Sequence, residues 1–224
     1  MAEIVVAFDL PGGREALALA ERLPGLKWAK VGPVLFVRDG PEVVREFAAR
    51  GVRVFLDLKW HDIPSTVAGA VAAARDLGVS LATVHCLGGE EMLAAAHEAA
   101  GDVALVGVTV LTSLDPPALE RVLGRGVPDL GVEAERLARL ALRAGCRGVV
   151  ASGRELGLLR QALGADPWLV VPGIRLPGDG AGDQARTVTP REAVARGATH
   201  LVVGRPITAA PDPVAAYQRL LEAL

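Results

Sequence analysis

Residues 54–66, Val-Phe-Leu-Asp-Leu-Lys-Trp-His-Asp-Ile-Pro-Ser-Thr, carry an apolar strand pattern straight into two carboxylates and a lysine. Val54, Leu56 and Leu58 alternate with Phe55, Asp57 and Lys59, so a regular strand would project the acid and the amine from one face, one step apart. Taking such ions out of water costs several kcal/mol each unless pairing offsets it. Paired opposite charges at the end of an apolar strand mark the place where chemistry is expected. A purely structural ion pair would use the same residues. Of the 24 basic residues only Lys27, Lys30 and Lys59 are lysines. Lysine can be tuned as an acid whereas arginine effectively cannot, although codon or temperature bias would produce the same composition.

A second cluster lies in the carboxyl half. Val171-Pro172-Gly173-Ile174-Arg175 and Val202-Val203-Gly204-Arg205-Pro206 each end an apolar run. Backbone N–H groups at such a turn, with a glycine that admits close approach and an arginine that adds charge-assisted bonds, suit a phosphate group. A surface arginine beside a turn is the plain alternative for Arg205. Between the two runs, residues 176–186 are glycine-rich and polar and read as a lid from which Gln184 would reach a phosphate oxygen, or else as a simple connection. Arg175 and Arg186 fit either phosphate contact or solvated charge.

Positioning these groups requires many short strands. Apolar runs alternate with amphipathic stretches along the chain, the pattern of repeated βα units on a parallel sheet. Eight strands are predicted, at residues 3–9, 28–32, 52–59, 81–86, 103–110, 148–151, 168–172 and 199–204. Helices are predicted at about 12–23, 41–50, 64–77, 89–100, 132–144, 154–163, 190–196 and 212–224. Pro116-Pro117 and Gly124-Arg125-Gly126 fall in the long connection after the fifth strand. No composition shift divides the series, so one (β/α)8 TIM barrel over residues 1–224 is expected, with an open doubly wound sheet as the alternative. Asp9, Lys30 and the Asp57/Lys59 pair all fall at C-terminal strand ends, where barrel enzymes gather catalytic groups, and this favours closure.

The 51% hydrophobic content and net charge of -2 argue against disorder and against a nucleic-acid partner, leaving small molecules. Cys86 and Cys146 have no metal-binding or disulfide spacing. The first residues lack a signal-peptide pattern and no apolar run is long enough to span a membrane, so a cytoplasmic protein is expected.

The stretch Asp57-Leu58-Lys59-Trp60-His61-Asp62-Ile63-Pro64-Ser65-Thr66 fits D-x-K-x-x-D-I-P-x-T and resembles the signature of the orotidine 5'-phosphate decarboxylases. The resemblance extends to Ala7-Phe8-Asp9, Lys30-Val31-Gly32, Val84-His85-Cys86-Leu87-Gly88-Gly89, Leu111-Thr112-Ser113, Pro172-Gly173-Ile174-Arg175, Gly182-Asp183-Gln184 and Val203-Gly204-Arg205-Pro206-Ile207-Thr208. It implies a homodimeric barrel that decarboxylates orotidine 5'-monophosphate (OMP) to UMP without metal or organic cofactor. It further implies Lys59 as proton donor, Asp57 beside the substrate carboxylate, and Asp9 and Lys30 completing the charged array. Asp62 and Thr66 would act on the neighbouring subunit's substrate, Thr112 would meet the pyrimidine edge, and Gln184, Arg205, Gly204 and Arg175 would serve the phosphate.

Two positions depart from the family pattern. Pro33-Val34 follows Gly32 where the family usually has x-E, and Cys86 stands where alanine is common. Both bear on local packing. His61 and His85 read as packing or hydrogen-bonding residues. The alternatives are a magnesium-dependent sugar-phosphate decarboxylase or aldolase of the same superfamily and a non-catalytic phosphate-binding barrel. An ammonium at position 30, where those relatives place a carboxylate ligand, would repel the metal. A ribulose-phosphate epimerase would need a histidine-rich metal site, which His61, His85, His97 and His200 do not suggest.

Overall fold

The computed structural model describes residues 2–176 and 187–224. The segment expected as a lid, with Gln184 and Arg186, thus lies outside the described residues, apart from Leu176 at its start. Eight parallel strands close in sequence order into a barrel. These are β1 (Glu3–Ala7), β2 (Trp28–Val31), β3 (Arg53–Trp60), β4 (Leu81–His85), β5 (Ala104–Val108), β6 (Gly148–Val150), β7 (Trp168–Val171) and β8 (His200–Val203). Closure is made by β1 and β8, in register from Glu3 opposite His200 to Val6 opposite Val203. The open-sheet alternative is thereby excluded.

Around the barrel run α1 (Gly13–Arg22), α2 (Pro33–Asp39), α3 (Glu42–Ala49), α4 (Pro64–Asp76), α5 (Gly89–Ala100), α6 (Pro116–Leu123), α7 (Leu130–Arg143), α8 (Leu156–Leu163), α9 (Pro190–Ala195), α10 (Arg205–Thr208) and α11 (Pro213–Glu222). Besides the single turn of α10, two were not expected from periodicity. Pro116 and Pro117 start α6 because proline's missing N–H is no loss in a first turn, and Asp115 caps it through Ala118 N–H at 2.8 Å. Pro33 likewise opens α2, which Gly40 ends at φ 65°. The unusual Pro33-Val34 pair therefore starts a short helix, with Val34 exposed.

Alternate strand residues build two apolar layers. Val5, Trp28, Phe55, Leu81, Val106, Val170 and Val202 fill the barrel, while Val6, Ala29, Val54, Leu56 and Val203 face the helices. The N-terminal mouth is plugged. Glu3 accepts from Trp28 Nε1 at 2.6 Å and from Arg53 at 2.7 Å, and Arg53 lies over the Trp28 ring. His200 packs there between Trp28 and Trp168. Cys86 fits its position because Gly107 yields the room: a Cβ at 107 would stand 2.6 Å from the Cys86 sulfur. With the base sealed by packing, the opposite mouth is left for ligand.

Candidate active site

The C-terminal mouth opens into a cavity of about 470 Å³. Asp9, Lys30, Asp57, Lys59 and Thr112 line it, together with Gly173, Arg175, Gly204 and Arg205 from beyond the ends of β7 and β8. The first group comes from the ends of β1, β2 and β3 and the segment after β5, as expected of residues whose strands end together at one face.

The charges alternate through space. Lys30 Nζ stands 3.0 Å from Asp9 Oδ1 and 3.4 Å from Asp57 Oδ2, and Lys59 Nζ stands 2.8 Å from Asp57 Oδ1. Lys30 and Asp57 are 7% and 9% exposed, so these are ions removed from water and stabilised by one another rather than solvated charges. Burial would push the Asp57 carboxyl up. The ammonium groups of Lys30 and Lys59, with hydrogen bonds from Lys59 and Thr83, outweigh that and hold it below the ordinary carboxylate range. Gly32 makes room for the array, since a Cβ there would lie 2.6 Å from Asp9 Oδ1 and 2.9 Å from Lys30 Nζ.

Strict strand alternation does not place Lys59. Leu56 pairs with Ala82 but Trp60 pairs with Val84, so four steps on β3 face two on β4 and the strand bulges through Asp57, Leu58 and Lys59. Lys59 has φ 52°, the one non-glycine residue with positive φ among those described. Its backbone N–H, displaced from the ladder, donates to Thr83 Oγ1 at 2.8 Å, and the same hydroxyl donates to Asp57 Oδ1 at 3.1 Å. Thr83 was missed from the sequence. The signal available was its phase in β4, between Leu81 and His85 on the inward side.

Asp62 and Thr66 do not join this cavity within the chain. Both are exposed, Asp62 just beyond β3 and Thr66 in the first turn of α4, and the Asp62 carboxylate accepts from Ile63 N–H at 2.7 Å. Ile63 itself is 63% exposed. His61 and His85 stack with ring centroids 5.2 Å apart, and His85 Nδ1 accepts from Leu87 N–H. Burial, then the neighbouring His61 and Lys59 charges, pushes the His85 pKa down to about 4, so the ring is a neutral packing group. Beyond the ends of β8 and β7, Arg205 is exposed at the start of α10 and Gly173 takes φ 76°. A Cβ on Gly204 would make only ordinary contact with Ala7 at 3.6 Å, so its described neighbours do not demand a glycine there.

The model of the orotidine 5'-phosphate decarboxylase / HUMPS family matches residues 2–220. The chain belongs to that family. It is 49% identical over 222 residues to an orotidine 5'-phosphate decarboxylase of Nitrosococcus oceani, covering 97% of this chain and 95% of that one. With the Halorhodospira halophila enzyme of the same name it shares 51% over 218 residues, covering 95% and 92%. The crystal structure of orotidine 5'-phosphate decarboxylase from Lactobacillus acidophilus superposes with a TM-score of 0.88 at 34% identity, covering 100% and 99% of the two chains. The sealed base and charged mouth thus occur on a barrel shared along its full length with proteins of that name.

Proposed function

We propose that the protein decarboxylates OMP to UMP, the last step of pyrimidine nucleotide synthesis, with Lys59 as the proton donor. The observation that carries this reading is the Asp9–Lys30–Asp57–Lys59 array, buried at Lys30 and Asp57, whose outer ammonium lines a cavity that also holds Arg205 and Gly204. Bound with its phosphate toward Arg205, Gly204 and Arg175, OMP would present C6 to Lys59. The C6–carboxylate bond breaks, CO2 leaves, and the electron pair stays on C6. Lys59 stabilises that charge and gives C6 a proton, and its amine then recovers one from solvent. Asp57 beside the substrate carboxylate favours departure of neutral CO2. Thr112 is assigned to the pyrimidine edge and Gln184 to the phosphate.

The magnesium-dependent alternative is disfavoured by a positive feature. The Lys30 ammonium fills the space between Asp9 and Asp57 in which a divalent cation would need carboxylate ligands. Asp62 and Thr66 are assigned to the partner's site in a homodimer. Their exposure outside the cavity, next to exposed Ile63, supports that assignment. No helix among the described residues is long and apolar enough to cross a membrane. The unpaired thiols of Cys86 and Cys146 support a reducing, cytoplasmic setting.

Loss of OMP absorbance on mixing with purified protein tests the activity. Lys59→Ala should abolish the loss while still binding UMP. Near-normal turnover in that variant would remove Lys59 as donor, and no turnover by the parent protein would sink the enzymatic reading.

A further inference from the structure

The bulge at the end of β3 presents a local problem. A lysine in the left-handed region is disfavoured, and a bulge removes ladder partners from the residues it displaces. Yet Lys59 holds φ 52° and its N–H is satisfied. The partner is a side chain on the next strand. Thr83, fully buried on β4, accepts from Lys59 N–H at 2.8 Å and donates to Asp57 Oδ1 at 3.1 Å. Asp57 Oδ1 in turn accepts from Lys59 Nζ at 2.8 Å. One hydroxyl therefore closes a ring joining the backbone of Lys59, the carboxylate of Asp57 and the ammonium of Lys59.

We infer that Thr83 is a positioning residue for decarboxylation, its hydroxyl holding the β3 bulge in the conformation that aims Lys59 Nζ and Asp57 into the cavity. This deepens the functional proposal and rests on Lys59 being the proton donor. A hydroxyl is suited to the task because it donates and accepts at once, which neither an amide N–H nor a carboxylate can do. Without it the Lys59 N–H loses its partner inside the barrel wall. The backbone then regains its resistance to positive φ, and Lys59 Nζ swings off the line to C6. Displacements of that kind act on the chemical step, whereas the groups assigned to the phosphate, beyond the ends of β7 and β8, are untouched.

Three substitutions separate the hydroxyl from the shape of the side chain. Thr83→Val keeps the volume and loses the hydroxyl, Thr83→Ser keeps the hydroxyl and loses the methyl, and Thr83→Ala loses both. Turnover in the Val and Ala variants should fall roughly 10- to 100-fold with UMP affinity little changed, while Ser stays within about threefold of the parent. A packing role predicts the reverse order, with Val milder than Ser. Val or Ala turning over as fast as Ser would overturn the inference, as would a loss of UMP binding parallel to the loss of turnover. Should Thr83→Val not fold, the Ser and Ala pair still differ only in the hydroxyl and decide the matter. Lys59→Ala measured alongside keeps the two readings apart. Normal turnover in Lys59→Ala would refute the functional assignment, whereas an inactive Lys59→Ala with a fully active Thr83→Val would refute only the role of Thr83.

Discussion

Replacing Gly32 by alanine puts a methyl group where the Asp9–Lys30 ion pair now stands. The new Cβ would be 2.6 Å from Asp9 Oδ1 and 2.9 Å from Lys30 Nζ. Restoring ordinary contact of about 3.4 Å requires the oxygen to retreat by about 0.8 Å and the ammonium by about 0.5 Å. The backbone does not resist the change, since Gly32 has φ -97°. Both obstructing atoms are the ends of flexible side chains, so the barrel keeps its packing and the charge array yields instead. Because the ions shift without losing all their partners, stability should fall only modestly, by about 1–2 kcal/mol. The Lys30–Asp57 contact, already 3.4 Å long, has little tolerance for a shift of that size. A misplacement approaching 1 Å can cost up to roughly 100-fold in rate, so kcat/KM for OMP should fall roughly 10- to 100-fold. The absorbance assay gives the rate and a thermal melt the stability. Full activity in a folded Gly32→Ala protein would show that the spacing within the array does not matter, and the reasoning would fail. A large drop in melting temperature would show instead that the glycine serves the fold.

If Arg205 holds the phosphate as proposed, Arg205→Ala removes a charge-assisted contact worth about 1.5–3 kcal/mol, so KM for OMP and Kd for UMP should both rise roughly 10- to 100-fold; unchanged UMP titration would remove Arg205 from the phosphate site. Mixing inactive Asp62→Ala and Lys59→Ala subunits should restore activity through hybrid dimers, and no recovery despite demonstrated subunit exchange would count against action in trans. His200 gives a pH prediction. Buried beneath the barrel, it is pushed from 6.5 down to about 4 chiefly by burial, so below pH 6.5 the unfolded chain takes up a proton that the folded chain refuses. Stability should therefore fall as pH drops from 6.5 toward 4, by up to about 1.4 kcal/mol per pH unit for this residue. His85 acts in the same window. Denaturant midpoints across that range should flatten in His200→Gln, and an unaltered slope would show that His200 is not the group responsible.

What was legible in the sequence was whatever repeats or is chemically costly. Strand and helix periods revealed eight βα units because each strand buries alternate residues on the barrel interior and the helix layer. Charges at the ends of β1, β2 and β3 stood out because ions seldom end buried strands without partners. The helices α2 and α6 were hidden by their prolines, since the residue that breaks a helix interior is the one that starts it well.

The family signature, read from residues 57–66, placed Asp57 and Lys59 in one site, but regular alternation was the wrong reason for it. Whether a strand bulges depends on its neighbour's register and on a partner for the displaced N–H. Both lie across the sheet, about 25 residues away in sequence, where no local pattern records them. For the same reason Thr83, an ordinary strand residue by composition, could be found only once β3 and β4 were paired. The sequence by itself therefore determined the barrel, the sign and order of its charges and the mouth at which they gather. Tertiary structure alone decided how the Lys59 backbone turns, what satisfies it and which charged groups a side chain at Gly32 would meet, because each depends on distances between strands that chain order does not encode.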